Sequence, residues 1–175
     1  MARIYPVKKK NSLRENMKEI LPLMYDDLMF FKETVLTHPF AKNMLHRMRI
    51  KGKPFRYAME IGEPMYGADF AKCLDEVKSS VELMGEIHDA DVMIPEMKNH
   101  LKEMRLINSM IPKRNEHLST KCIRDIIEDL RQKRNAMYNE LCVKLNDWDA
   151  KNFRERLISS MNVSQLLIVH KIPAA

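Results

Sequence analysis

Apolar residues recur at every third or fourth position in four long segments of this chain, and short breaks containing proline or glycine separate the segments. This spacing places the apolar side chains along one face of a helix. The segments predict helices over about residues 12–36, 39–66, 69–107 and 117–160. Only four of the 175 residues are glycine, and strong helix formers dominate the remainder. The sequence therefore predicts an all-α fold, a four-helix bundle with short connections.

Local signals predict where these helices begin, bend and end. Ser12 followed by Glu15 is the pattern of a capping box at the start of the first helix. Pro22 lies inside that helix and is expected to kink or divide it. The segment "GEIHDADV", residues 85–92, predicts a bend or a restart in the third helix, because its aspartates can cap a new segment. Residues 146–152 predict a break in the fourth helix.

The two ends of the chain differ from the helical region. Residues 1–11 are predicted to form a loose basic arm, residues 12–160 the helical domain, and residues 161–175 an apolar tail that docks on the bundle or meets another subunit. No apolar run is long enough to cross a membrane, and the N-terminus lacks the apolar core of a signal peptide. We therefore expect a soluble protein without a membrane partner.

Cysteine usage indicates the redox compartment. The chain has three cysteines at wide spacings, so neither a disulfide framework nor a zinc site is indicated. This usage favours a reducing cytoplasm. The cysteines are Cys73, Cys122 and Cys142.

Positive charge is concentrated in the second predicted helix. Lys and Arg outnumber Asp and Glu by 30 to 24, giving a formal net charge of +6, and this balance favours an anionic partner. The densest cluster lies in "LHRMRIKGKPFRYAMEIG", residues 45–62. On a helical wheel its core-facing residues are Leu45, Met48, Phe55 and Met59. Beside them runs a basic stripe, formed by His46, Arg49, Lys53 and Arg56.

Apolar residues also follow the far edge of the basic stripe, at Ile50, Tyr57 and Ile61. Cations enclosed between two apolar rows are costly unless an opposite charge meets them. One glutamate, Glu60, shares the stripe and is expected to hold Arg56 or Lys53 in place. The pattern favours a bound polyanion, although long cationic side chains at a bundle edge can also reach out to water.

The fourth predicted helix carries a second set of basic residues. Arg134 falls inside its apolar arc, and Arg131 lies just beyond one edge. Together with the basic stripe, these arginines predict a groove lined by basic residues of both helices. The alternative is that they cover the bundle surface.

The motifs in these helices resemble those of the conserved histidine α-helical domain, CHAD. Its first pattern reads H-x-x-R-x-x-x-K-x-x-R-Y-x-x-E, and every position is filled here. The matching residues are His46, Arg49, Lys53, Arg56, Tyr57 and Glu60. Its second pattern, L-G-x-x-x-D-x-x-V, is met by Gly85, Asp89 and Val92, with Met84 in place of the leucine. The resemblance extends over about residues 12–160, since the charged fourth helix looks like the closing helix of the family.

This resemblance implies binding of inorganic polyphosphate and association with polyphosphate granules. It implies a site formed by the basic stripe with Arg131 and Arg134, supported by Tyr57, Glu60, His88 and Asp89. No cofactor or metal is implied. Proteins of the family usually contain two similar four-helix halves, and this chain resembles the second half only. Two copies are therefore expected to associate as a homodimer that restores the missing half.

Two other classes of function stay open from the residues alone. An enzyme cleaving phosphoanhydrides would gather His46, His88, Asp89, Asp91 and Glu60 into a metal site or an acid–base pair. Against this, helix capping also explains "HDAD", and no Glu-x-x-His pair occurs.

A nucleic-acid-binding protein is also compatible with the net charge. Aromatic residues are sparse along the basic stripe, where Phe55 and Tyr57 point to opposite sides, and no nucleic-acid-binding signature is present. This class is therefore less favoured than polyphosphate binding.

Overall fold

The computed structural model describes residues 5–162, and within that range every long regular element is an α-helix. Single 3-10 turns at Glu63–Met65 and Arg114–Glu116 lie in the connections. The prediction of an all-α bundle is confirmed. The helices are α1 (Leu13–Met29), α2 (Lys32–Thr37), α3 (Lys42–Gly62), α4 (Ala68–Met110), α5 (Lys121–Ala150) and α6 (Phe153–Asn162).

Helix α1 begins at the predicted capping box. The Ser12 hydroxyl accepts a hydrogen bond from the Glu15 amide at 3.2 Å, and the Glu15 carboxylate accepts one from the Ser12 amide at 2.7 Å. Pro22 lies inside α1 and is buried, and it does not divide the helix. Of the predicted kink or division at Pro22, the division is therefore wrong, because α1 continues from Leu13 to Met29.

The described part of the N-terminal arm, residues 5–11, lies along α1. The Asn16 side chain binds this segment at both polar atoms: its oxygen accepts from the Lys8 amide at 2.7 Å and its amide donates to the Lys8 carbonyl at 3.1 Å. The Tyr5 hydroxyl donates to Asp27 at 2.9 Å. These contacts correct the prediction of a loose arm for this segment. Most of the predicted apolar tail, residues 163–175, lies outside the described residues.

Two predicted helices differ from the structure, and a third divides as predicted. The first predicted helix is two helices, α1 and α2, because the chain turns at Phe30 and Phe31. The third does not restart at residues 85–92: α4 is continuous through 43 residues, since one mid-helix glycine costs only about 1 kcal/mol. The fourth divides near the predicted place, where Asn152 adopts a positive φ of 47° between α5 and α6.

The core lies between α1, α3, the first half of α4, and a fourth side made by the end of α5 together with α6. Aromatic rings of three helices meet in it: Tyr25 stacks on Phe153 at 5.2 Å, and Phe153 on Trp148 at 4.7 Å between ring centroids. The four residues predicted for the core face of α3 are all buried. The core therefore has the four-sided arrangement that the helical periodicity predicts.

Helices α3 and α4 approach each other closely at Gly52. A Cβ atom added at this position would lie 3.0 Å from Val81 Cγ2. A larger residue would therefore separate the two helices, and this close approach sets the geometry of the surface between them.

Helix α4 is about twice as long as α3, roughly 65 Å against 32 Å at 1.5 Å per residue. Its second half therefore continues past the end of α3 and packs against the first half of α5 as an antiparallel hairpin. Among residues 5–162, no helix has both the length and the apolar character needed to cross a bilayer. Cys73, Cys122 and Cys142 are all free thiols.

Candidate polyanion-binding site

The basic stripe of α3 lies along the line where α3 meets α4. The His46 ring lies against the His88 ring, with centroids 4.6 Å apart. The Arg49 side chain passes over Gly85, and Arg56 reaches Glu82 on α4 at 3.4 Å. We call this surface the α3–α4 seam. It comprises His46, Arg49, Lys53 and Arg56 of α3 with Glu82, Gly85 and His88 of α4.

Two cations of the seam have no carboxylate partner. Within residues 5–162, no acidic side chain lies within 4 Å of the charged groups of Arg49 or Lys53. Arg49 is half-buried, and its Nε is buried without a hydrogen-bond acceptor. The Nδ1 atom of His46 is likewise buried without a partner. A half-buried guanidinium with an unused donor is an unfavourable arrangement that an anion would relieve.

Arg56 is already neutralised by its own chain. Its Nε donates to Glu60 at 2.8 Å, and its Nη1 lies 3.4 Å from Glu82. The hydrogen bond to Glu60 raises the pKa of Arg56 further above its ordinary value. Glu60 therefore holds Arg56, as its position one turn away predicts, and less of the charge of Arg56 is available to a ligand.

The histidine pair sits in a positive environment. Burial, the Arg49 charge and His46 all lower the pKa of His88 below its ordinary value, and the nearby Asp89 and Asp91 only partly oppose them. His88 is therefore mostly neutral at neutral pH in the free protein. A bound anion would favour its protonated form.

The far edge of the basic stripe is open to solvent. The side chains of Ile50, Tyr57 and Ile61 are 51%, 53% and 61% exposed. The inference that apolar neighbours enclose the basic stripe on both sides is therefore wrong within the described chain, because no helix covers this edge. The outcome is an exposed apolar row beside unpaired cations.

Comparison with known proteins identifies the family. A CHAD-domain family model matches residues 11–98, which is just over half of the chain and includes the whole α3–α4 seam. The chain belongs to the CHAD-domain family. CHAD domains are linked to polyphosphate-related proteins. No curated protein and no solved structure matches the chain.

In this CHAD domain, Arg134 is held in a buried ion pair where α5 contacts α4. Its side chain is 5% exposed, and its Nε lies 3.2 Å from Asp91, which is 7% exposed. Its Nη2 donates to the Pro39 carbonyl at 2.7 Å, and Lys42 lies 3.3 Å from the same aspartate. Arg134 therefore joins α4 and α5 to the turn before α3, and this geometry argues against its predicted contact with ligand.

Arg131 is separated from the seam. It is exposed on the α4–α5 hairpin, 3.6 Å from Glu128 of its own helix. Arg131 does not join the basic stripe in one groove, because it lines the cleft of the α4–α5 hairpin. A contact of Arg134 with ligand stays a prediction, since its partner Asp91 lies near His88 of the seam.

Two residues of α4 that the sequence did not single out belong beside the seam. Glu82 contacts Arg56 across the helices, and Lys78 lies one turn earlier on the same face of α4. Glu82 and Lys78 lie three and seven residues before Gly85, and this helical spacing is the sequence signal that places them on the same face of α4. Asp89, predicted as a supporting residue, is exposed in the middle of α4 and caps no helix.

Two of the three carboxylates proposed for a catalytic centre, Glu60 and Asp91, already have other partners. Glu60 binds Arg56, and Asp91 binds Arg134 and Lys42. In the part of the chain that the structure describes, no three His, Cys, Asp or Glu side chains cluster closely enough to hold a metal ion. The carboxylates of this CHAD domain thus support its own ion pairs.

Proposed function

We propose that this protein binds inorganic polyphosphate at the α3–α4 seam. The observation that carries the proposal is the pair of unmatched cations, Arg49 and Lys53, one turn apart beside an unsatisfied histidine. Polyphosphate is a flexible chain with charge on nearly every phosphate and no base to read, so its recognition needs cations repeated along a surface. The stripe supplies them over about 15 Å, ten residues at 1.5 Å each.

Each seam residue has a distinct role in the proposed binding. Arg49 offers a planar fork that binds two phosphate oxygens, and Lys53 supplies a mobile point charge. His46 and His88 offer ring N–H groups that donate hydrogen bonds to phosphate oxygens. Arg56, held by Glu60 and Glu82, contributes less to binding than Arg49.

The experiment compares the affinity of labelled polyphosphate for three proteins. The variant Arg49→Ala/Lys53→Ala removes both unmatched cations. The control, Arg47→Ala/Lys133→Ala, removes one Arg and one Lys from exposed positions off the seam. We expect the first variant to bind at least about tenfold more weakly and the control to match the wild type, with equal thermal stability in all three. An equal loss in both variants would show non-specific attraction only.

We also propose that two copies associate through the apolar row Ile50, Tyr57 and Ile61. The three side chains lie seven and then four residues apart on one face of α3, directly beside the seam. Self-association would cover this row and bring two basic stripes together. Light scattering at micromolar concentration is expected to give a dimer that Ile50→Glu/Ile61→Glu converts to a monomer. A wild-type monomer under these conditions would exclude this arrangement.

One observation favours single-stranded nucleic acid as a second candidate ligand. The exposed Tyr57 ring follows Lys53 by one turn, and such a ring can stack on a base. Competition of an oligonucleotide against labelled polyphosphate separates the two ligands. We propose polyphosphate as the stronger competitor, because Tyr57 is the only exposed aromatic side chain beside these cations in the described chain. We also propose that the protein acts in the cytoplasm and at polyphosphate granules.

A further inference from the structure

A second cluster of cations lies on the α4–α5 hairpin, where the helices continue past α3. The hairpin holds an open cleft of about 380 Å³. Leu101 and Ile127, both buried, form its apolar floor. Its charged lining residues are Lys98, Arg105, Arg124, Glu128 and Arg131.

The charge in this cleft is unbalanced. Of the four cations that line the cleft, only Arg131 has a carboxylate of the described residues within 4 Å, namely Glu128 at 3.6 Å. Lys98, Arg105 and Arg124 have none. Four cations and one carboxylate leave a formal charge of +3 in the cleft.

Three other lysines in α5 or directly after it are matched by a carboxylate four residues earlier. Lys133 pairs with Asp129, Lys144 with Glu140 and Lys151 with Asp147. The exposed Lys121, at the start of α5, has no such partner among the described residues. The cleft is distinguished because it brings three unmatched cations together.

The spacing of the cations defines the shape of a ligand. Lys98 and Arg105 are seven residues apart on one wall, as are Arg124 and Arg131 on the other. Seven residues are about 10 Å along a helix, so two pairs of cations face each other over that length. A run of about three phosphates matches both this length and the charge, and arginine forks bind phosphate oxygens in pairs.

We propose that this cleft is a second anion site, which binds a triphosphate-type group. It is separate from the α3–α4 seam, because at 100° per residue Lys98 and Arg105 point about 140° to 160° away from Gly85 around α4. Of its residues, only Lys98 falls within the segment that matches the family, residues 11–98. The second site is therefore independent of the function proposed for the seam.

The test measures binding of tripolyphosphate to the full chain by calorimetry at low salt. The variant Lys98→Ala/Arg124→Ala removes one cation from each wall, and Arg47→Ala/Lys133→Ala is the control of matched charge. We expect the cleft variant to lose about tenfold or more in affinity. We expect the control to stay within about twofold of the wild type. Thermal unfolding verifies that each variant is folded.

Separate titrations with ATP and with long-chain polyphosphate identify the source of the triphosphate group. Tighter binding of ATP than of tripolyphosphate indicates a nucleotide, and weaker binding indicates a free or chain-terminal oligophosphate. The proposal is overturned if tripolyphosphate fails to bind, or if the cleft variant binds it as the wild type does. If the cleft variant is normal and the seam variant loses long-chain polyphosphate, the proposed function stands without this second site.

Discussion

Arg49 and Arg134 are the same residue type on neighbouring parts of the bundle, yet their surroundings give them different roles. Arg134 is buried, paired with Asp91 and bonded to a backbone carbonyl. Arg49 is half-buried with no carboxylate nearby in the described chain. The helical wheel identifies both as cations near an apolar face. It cannot identify the partner of Arg134, because Asp91 lies 43 residues away in sequence.

Replacement of Arg134 should destabilise the fold. Arg134→Ala leaves Asp91 buried with only Lys42 beside it, and breaking a buried ion pair costs about 3 kcal/mol or more. We expect urea denaturation to show this loss in the free energy of unfolding. The control Arg131→Ala, three residues away and exposed, should change it by less than about 0.5 kcal/mol.

If Arg134→Ala is as stable as the wild type but fails to bind polyphosphate, the structural role assigned to Arg134 is wrong. In that case the arginine contacts ligand, and the common basic site inferred from the sequence regains support.

Polyphosphate affinity should rise as the pH falls. In the free protein the pKa of His88 lies below its ordinary value of 6.5, mainly through burial and the Arg49 charge. A bound anion offsets the Arg49 charge and raises the pKa of His88. Binding therefore takes up a proton at pH values between the pKa of His88 in the free protein and its pKa in the complex. We expect affinity at constant ionic strength to increase from about pH 8 to pH 5.5.

The variant His88→Gln should flatten this pH profile without changing affinity at pH 8. Asp89 and Asp91 also face His88 and are retained in the variant. A profile that is level in the wild type, or equally steep in His88→Gln, would rule out the contribution assigned to His88.

At the scale of the helices, periodicity predicted the interior better than the ends. Leu45, Met48, Phe55 and Met59 are buried as their spacing indicates, because the core side of a helix is a local pattern. The uninterrupted course of α4 through Gly85 was not predictable, since packing against α3 and α5 overrides the local breaking signal. Ile50 is exposed because no described helix packs against the far edge of the basic stripe. The spacing of residues within α3 does not show which helices pack against it.

Two glycine substitutions should change stability in opposite directions. Both Gly52 and Gly85 lie within helices, so alanine adds up to about 1 kcal/mol of helix propensity at either position. At Gly85 the new Cβ meets only Arg49 Nε at 3.8 Å, an ordinary contact. At Gly52 it meets Val81 Cγ2 at 3.0 Å in the tightly packed helix crossing. Overpacking of this kind costs about 1–3 kcal/mol.

Urea denaturation should therefore show Gly85→Ala as more stable than the wild type and Gly52→Ala as less stable. Gly85→Ala should also retain polyphosphate affinity, because Arg49 stays in place. Stabilisation by both substitutions would mean that α3 and α4 are further apart than the structure indicates.

At the scale of the whole molecule, the bundle divides the basic surface into two regions. The α3–α4 seam lies on the compact part, and the basic cleft lies on the hairpin that extends beyond it. The sequence identified the seam because its cations sit within one helix at helical spacing. It joined Arg131 to the same site, since only the three-dimensional packing shows that α5 meets α4 on another side.

The dependence of polyphosphate affinity on salt tests the seam most directly. Each neutralised phosphate releases counterions, so the slope of log affinity against log salt reports how many cations contact the chain. We expect Arg49→Ala/Lys53→Ala to lower the affinity and to reduce the magnitude of this slope by about one to two, while Arg47→Ala/Lys133→Ala keeps both at wild-type values. Wild-type affinity and slope in Arg49→Ala/Lys53→Ala would show that polyphosphate does not bind at the seam.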